Sequence, residues 1–282
     1  MKKIEVPKSY NYISAFLTFA CTFRCHYCIN KYNGLHRYEL MDVNDWVEGL
    51  NRIRARADLP VTITGGEPTT YKAFYGLIMA LDEKLPIDLL TNGDFDLEEF
   101  MENIPPERIK RRAKYASIRF SYHHGYTNVY DLMMVVARLQ NSGYSVGIWA
   151  VDDGTDMVRD LRKNAMKANI DFRLKELLSK TRGTYKYPKG LDGKRKKCLC
   201  RPSELLIAPD GRLFRCHYDL YHAINSYGHI LDKEVNLPEK FLPCDNYGLC
   251  SPCDLKVKFD RFQKSGHCAV EIKEIHEKKR KS

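Results

Sequence analysis

The 282-residue chain has no long apolar run: the uncharged stretch Tyr10 to Phe23 is too short to cross a bilayer. Met1 to Tyr10 also lacks the apolar core of a secretory signal, so a cytoplasmic location without a membrane partner is expected. There is no internal repeat, and the low-complexity segments are confined to a basic stretch at 180–197 and the tail Lys278 to Lys281. Cysteine is missing between residues 29 and 197, although the chain holds ten. Disulfide frameworks belong to small exported domains, so without an export signal thiolate ligation of iron or zinc is favoured over five disulfides.

The cysteines form two groups, three at 21–28 and seven at 198–268, which predicts two metal regions. Cys21, Cys25 and Cys28 lie in the run Cys-Thr-Phe-Arg-Cys-His-Tyr-Cys, at the end of an apolar stretch that reads as a strand. Iron–sulfur clusters normally take four cysteines. A triplet with no fourth cysteine nearby leaves one iron open to another molecule, although zinc would also accept these ligands.

The length exceeds the usual single-domain size, and one large α/β domain with a smaller appendage is expected. Tyr10 to Ala20 reads as a buried strand, Asp42 as the N-cap of a helix, and Pro60 to Thr64 as a second strand. The alternation continues with a helix over about Tyr71 to Asp82 and a strand at Ile87 to Leu90. A short helix at Leu97 to Asn103 and a strand at Ala116 to Ser121 come next. Thr127 is expected to cap an amphipathic helix stopped by Gly143, followed by a strand at Val146 to Val151, a helix near Met157 to Lys167 and a strand near Asp171 to Leu174. About six β-then-α units over roughly 175 residues call for parallel strands with right-handed crossovers, which suits an open, partial (β/α)6 barrel. Ligands then sit at the carboxyl ends of the strands, where the cysteine loop and the segments 65–68, 91–93 and 121–124 converge. Domains are expected at 1–179 (barrel), 180–197 (basic linker or lid) and 198–282 (cysteine-rich), the last opening with a hairpin at Leu205 to Cys216 turned by Pro209-Asp210-Gly211.

Gly65-Gly66-Glu67-Pro68 follows the second strand, about forty residues after the triplet, with glycines that expose backbone polar groups and a carboxylate able to hold an ammonium. With both motifs in this order the chain resembles the radical SAM superfamily, from Tyr10 to about Leu174 in sequence order and beyond that by cysteine spacing. The resemblance implies that Cys21, Cys25 and Cys28 bind a [4Fe-4S] cluster whose fourth iron chelates S-adenosylmethionine. It also implies that Tyr27 packs beside the adenine, that Gly65, Gly66, Glu67 and Pro68 contact the methionyl amino group, and that Thr91, Asn92 and Ser121 face the nucleoside. His123 and His124 could orient substrate or move a proton, or simply be solvated; Asp152 and Asp153 are similar candidates.

The spacing from Cys200 through Gly211 to Cys216 is similar to the opening of SPASM and twitch domains, which carry auxiliary Fe–S clusters, and Cys198 fits it equally well. Cys244, Cys250, Cys253 and Cys268 resemble the later SPASM ligands, but Phe241 stands where the leading cysteine belongs and the final pair spacing is one residue short. In one arrangement Cys198, Cys200, Cys216 and Cys253 bind one cluster while Cys244, Cys250 and Cys268 hold another. In a second, Cys198 or Cys200 joins Cys216, Cys250 and Cys253. Four soft ligands also suit structural zinc.

The expected function is a radical SAM oxidoreductase acting on a peptide or small polar metabolite, with an auxiliary cluster assisting oxidation or epimerisation. Modification of a nucleic acid or nucleotide, or a non-catalytic metal-binding module, are the alternatives. The formal charge is +10, and Lys180 to Lys197 carries eight Lys or Arg against one Asp. That stretch is a solvated loop or a contact for an anionic substrate, a nucleic acid, or an acidic reductant such as flavodoxin or ferredoxin. Iron counting on anaerobically purified protein separates the metal arrangements: about four irons per chain means no auxiliary cluster, about eight one, and about twelve two.

Overall fold

Each parallel strand read from the sequence is present. The computed structural model describes residues 1–28, 30, 37–112, 115–176, 196–247 and 270–275. A short strand β1 (Ile4–Glu5) precedes β2 (Tyr12–Thr18), whose carboxyl end leads into the cysteine loop. There follow α1 (Val43–Leu50), β3 (Ile53–Arg54), β4 (Val61–Gly65), α2 (Phe74–Ala80), β5 (Ile87–Thr91), α3 (Leu97–Asn103), α4 (Pro106–Ile109) and β6 (Ile118–Tyr122). Next come α5 (Val129–Asn141), β7 (Val146–Asp152), α6 (Asp156–Lys167) and β8 (Asp171–Glu176). Strands β2, β4, β5, β6, β7 and β8 pair in that order, all parallel, which is the expected open α/β arrangement of a partial barrel.

Local chemistry sets the boundaries. Asp42 caps α1 by accepting from the Asp45 amide at 2.9 Å. The helix expected from Tyr71 starts only at Phe74, because Pro68–Thr70 first forms a 3-10 turn. Asn128, not Thr127, caps α5: its Oδ1 accepts from the amides of Tyr130 and Asp131. Thr127 closes the preceding turn instead, its amide donating to the His123 carbonyl at 2.9 Å.

Alternation along the strands separates two faces. Ile13, Ile63, Leu89, Phe120 and Ile148 pack with helix residues such as Trp46, Leu77 and Val136 in the main core. On the other face lie the buried polar residues Ser14, Thr62, Asp88 and Arg119. Near the amino-terminal ends of the strands, Asp88 accepts from Arg119 at 2.8 Å and Arg111 at 3.1 Å, and the Tyr115 ring lies 4.4 Å from the Arg111 guanidinium and 5.1 Å from that of Arg119. This ionic floor lies at the end of the barrel opposite the cysteine loop.

The remaining described elements are β9 (Lys196–Pro202), β10 (Glu204–Ile207), β11 (Leu213–Phe214), α7 (His217–His222), β12 (Leu242–Tyr247) and β13 (Val270–Glu274). The expected hairpin is β10–β11, and β10 also pairs in parallel with β2, so the hairpin extends the main sheet to eight strands. All four residues of β10 are buried, as in a strand covered on both faces. Strands β12, β9 and β13 form a separate antiparallel sheet. The basic stretch, apart from the two lysines that open β9, and the tail Lys278 to Lys281 lie outside the described residues. Among the described residues no helix is long and apolar enough to cross a membrane.

Asp88→Ala would strand two buried guanidinium groups and is expected to cost about 3–5 kcal/mol in anaerobic denaturant unfolding. Arg138→Ala, which removes an exposed pair with Glu98, should cost less than about 1 kcal/mol. Equal losses for the two variants would refute the ionic floor.

Candidate metal centres

The first centre depends on how closely β4 approaches the cysteine loop. The amides of Gly66 and Glu67 donate to the carbonyls of Thr18 and Ala20, each at 2.8 Å. A Cβ at Gly65 would lie 2.1 Å from the Thr18 carbonyl oxygen, and one at Gly66 would lie 2.2 Å from that of Ala20. The two glycines are therefore required by backbone contact, and these two amides face the loop. Pro68 is buried at the start of the 3-10 turn.

Glu67 is fully buried and points into the junction of β4 with β5. Its Oε1 accepts from the Thr91 hydroxyl at 2.8 Å, the Thr69 hydroxyl at 2.9 Å and the Thr69 amide at 3.3 Å, and its Oε2 accepts from the Asn92 amide at 2.7 Å. Burial pushes the carboxyl up, and these hydrogen bonds oppose the shift without cancelling it. Asn92 then reaches the metal loop: its Nδ2 donates to Thr22 Oγ1 at 3.1 Å and lies 3.8 Å from Cys21 Sγ. Thr91 and Asn92 thus form a continuous link from Glu67 to the first cysteine, a function that residue type alone does not reveal.

Cys25 is buried, and Cys21 and Cys28 are half-buried. The Cys28 amide donates to the Cys25 carbonyl at 3.1 Å, and Arg24 Nη1 to the Cys21 carbonyl at 2.8 Å. Burial pushes the Cys21 thiol up and the nearby charges of Glu67 and Cys28 add to this, while the Phe23 amide and Asn92 pull it down. Three thiols on one loop, one of them beside an N–H donor, suit the donor set of a [4Fe-4S] cluster with an open iron.

The loop after β6 braces this centre. The Tyr27 hydroxyl meets His123 Nδ1 at 3.1 Å, the Tyr126 hydroxyl donates to the Arg24 carbonyl at 2.7 Å, and Phe23 stacks on Tyr126 at 5.6 Å. Burial lowers His123 from 6.5 to about 4 and raises the Tyr27 phenol, so a neutral phenol meets a neutral imidazole, and the tautomer of the ring sets which of them donates. His124 Nδ1 lies 2.5 Å from Asp153 Oδ2, and Asp153 Oδ1 accepts from the Thr155 hydroxyl and amide. Burial alone would raise the Asp153 carboxyl; the bonds from Thr155 and His124 outweigh it and hold the group low. Ser121 is half-buried, paired with Trp149 of β7, on the same strand face as Arg119 and nearer the rim. Phe23 and Tyr126 carry no motif and become legible only once the two loops meet.

The second centre lies on the small sheet. Cys198 and Cys200 share one face of β9, and the antiparallel register sets Cys244 of β12 opposite Cys198. Hydrogen bonds from the thiols of Cys198 and Cys200, and after them the Asn246 amide and the positive charge of Arg215, hold the Cys244 thiol low against its burial, while the bond to Cys244 and burial push Cys200 up. Cys216 caps α7, its sulfur accepting from the Asp219 amide at 3.5 Å, close enough for its charge to act on Cys200. Cys198, Cys200, Cys216 and Cys244 therefore gather, whereas both sequence arrangements separate Cys244 from the first two. Cys250, Cys253 and Cys268 lie outside the described residues. Among the described residues no group of three or more His, Cys, Asp or Glu side chains is placed so that it could hold a metal ion. A cubane cluster spreads its four thiolates over four irons.

Two outcomes follow from the bracing of the first centre. In Glu67→Gln either orientation of the amide opposes a backbone N–H, that of Thr69 or of Asn92. The variant is expected to unfold about 1–3 kcal/mol more easily and to hold its iron less firmly, measured by anaerobic denaturation and iron retention. His123, a base lowered in the folded state, contributes stability that is full above 6.5 and is lost as pH falls towards 4. His123→Gln should flatten the stability profile across that window.

Comparison with known proteins agrees with this geometry. A family model described as the radical SAM superfamily matches residues 16–166. A GTP 3′,8-cyclase of Actinobacillus succinogenes is 35% identical over 91 residues, 30% of this chain and 27% of that protein. A 7-carboxy-7-deazaguanine synthase of Clostridium acetobutylicum is 34% identical over 94 residues, 32% of this chain and 41% of that protein. These matches therefore span less than half of each curated relative. Among solved structures, Streptococcus suis SuiB bound to precursor peptide SuiA has a TM-score of 0.57 at 14% identity, covering 79% of this chain and 63% of SuiB. Native anSMEcpe with bound AdoMet and the Kp18Cys peptide has a TM-score of 0.55 at 14% identity, covering 78% of each chain. Likeness at such low identity concerns the fold alone, but the family model spans more than half the chain: it belongs to the radical SAM superfamily and is an enzyme of that family.

Proposed function

We propose that this chain is a radical SAM oxidoreductase of the SPASM or twitch type, acting on a peptide or a small polar metabolite, with an auxiliary cluster that accepts an electron from the substrate. The observation that carries the reading is the presence of two cysteine sets, Cys21, Cys25 and Cys28 on the loop at the barrel mouth, and Cys198, Cys200 and Cys244 on the small sheet with Cys216 at the start of α7. When bound, a [4Fe-4S] cluster with S-adenosylmethionine supplies a 5′-deoxyadenosyl radical. The chain's own residues position and enclose. Gly65 to Asn92 hold the cysteine loop, Tyr27 and His123 wall its side, and the ionic floor around Asp88 excludes water from the far end. His124, its ring fixed by Asp153, is the group at the rim suited to take a proton from a substrate radical as that radical is oxidised.

A nucleotide or nucleic-acid substrate is the second reading. It is favoured by the names of the two sequence relatives, one a GTP cyclase and the other a deazaguanine synthase. The peptide reading draws on the two peptide-bound neighbours of like fold.

Anaerobic incubation with dithionite and S-adenosylmethionine is expected to yield 5′-deoxyadenosine, and Cys25→Ala to reduce it to background; equal yields would refute radical generation. Deuterium transfer into 5′-deoxyadenosine from labelled peptides, but not from labelled GTP, is the outcome expected of the first reading, and the converse establishes the second. Reduction by flavodoxin or ferredoxin should slow as ionic strength rises if the basic stretch docks an acidic reductant. A rate unchanged between low and moderate salt would remove that partner role.

A further inference from the structure

Arg215 is a buried cation set among cysteines. Its side chain is fixed at three points: Nε donates to Asp219 Oδ2 at 2.6 Å, Nη1 to the Pro243 carbonyl at 3.0 Å, and Nη1 also lies 3.7 Å from Cys200 Sγ. Arg215 is 7% exposed and Cys200 3%. The guanidinium charge also acts on Cys216 and Cys244, so three of the four gathered thiols lie within its field. A structural role is served by the bonds to Asp219 and Pro243, which tie α7 to β12. The contact with sulfur is not needed for that purpose. An arginine is charged at any working pH, and in a buried setting its interaction with a neighbouring charge is much less screened than at the surface.

We propose that Arg215 sets the auxiliary centre as an electron acceptor: its guanidinium hydrogen-bonds the Cys200 sulfur, and its fixed positive charge favours the centre's reduced state. This rests on the reading that Cys198, Cys200, Cys216 and Cys244 hold an auxiliary iron–sulfur cluster. Accepting one electron adds one negative charge to the centre, and the Nη1–H in contact with a ligand sulfur offsets part of that charge, although the pair with Asp219 is neutral as a whole. Hydrogen bonds and net charge around the sulfurs are general determinants of cluster potential. The electron comes from the substrate radical, which loses a proton in the same oxidation. Arg215 is a positioning and tuning residue and does not itself take up the electron.

The test uses the full chain in a Cys25→Ala background, which leaves only the auxiliary centre to be titrated. Arg215→Gln alone would strand Asp219, so Arg215→Gln is combined with Asp219→Asn to remove the buried pair together. The readouts are iron per chain and the midpoint potential from anaerobic spectroelectrochemistry. The expected result is about four irons in both proteins, with the centre of the double variant at least about tenfold harder to reduce, a negative shift of about 59 mV for one electron. Arg215→Lys keeps the charge and should stay near the parent potential. No iron in the Cys25→Ala parent would overturn the auxiliary-centre reading itself. Four irons with an unchanged potential in the double variant would leave that reading standing and overturn the role of Arg215. Should the double variant lose its iron, the lysine variant decides: the parent potential supports the charge role, and a tenfold loss overturns it.

Discussion

The contact between β4 and the start of the cysteine loop is the constraint on which the first centre depends. Two glycines let the β4 backbone pass against the carbonyls of Thr18 and Ala20 at distances that exclude any Cβ. Their neighbour Glu67 then carries the constraint sideways, because both of its oxygens are committed to the ends of β4 and β5. Asn92 completes the circuit by returning to Thr22 and Cys21. The cysteine loop of eight residues is thereby held by two strand ends as well as by its own turn contacts.

The two ends of the barrel solve opposite problems. At the amino-terminal end buried charges need partners, and Asp88 accepts from two arginines while Tyr115 lies against their guanidinium groups, although Arg111 Nε, Arg119 Nε and Ser14 Oγ find no hydrogen-bond partner among the described residues. At the carboxyl end the loops that follow the strands meet one another. Each loop there is braced by another: Tyr27 by His123, Arg24 by Tyr126, and His124 by Asp153.

The period-two pattern made the strands legible, and the spacing of Cys21, Cys25, Cys28 and Gly65 to Pro68 made the first centre legible, because both are local properties. What depended on contact between distant segments was not. Asn92 and Thr91 could be placed at a strand end, but their partner Glu67 is some 25 residues away and the direction of its carboxylate is a packing outcome. Thr127 and Asn128 are both good caps, and the choice between them turned on the hydrogen bond that Thr127 makes back to His123. For the later cysteines, spacing pointed to known patterns, while strand register brought Cys244 against Cys198. Register is invisible in a short strand flanked by loops, since neither the turn nor an apolar face specifies it.

The parallel pairing of β10 with β2 links the two cysteine sets mechanically. Leu206 lies beside Ser14 and Ile207 beside Ala15, so the hairpin that leads to Cys216 is registered on the strand that leads to Cys21. Between them Phe16, Leu206, Phe214, Leu220 and Tyr221 form a separate apolar cluster, with Phe19 and Tyr38 packed on it. Close packing of this kind resists small displacements, which the proposed electron acceptor would need in order to keep its distance from the substrate. A cysteine-rich segment tethered by a loop alone would leave that distance to chance. Adding its first hairpin to the barrel sheet makes the separation of Cys21 from Cys216 a property of strand register, and it places Arg215, one residue before Cys216, on the same rigid support.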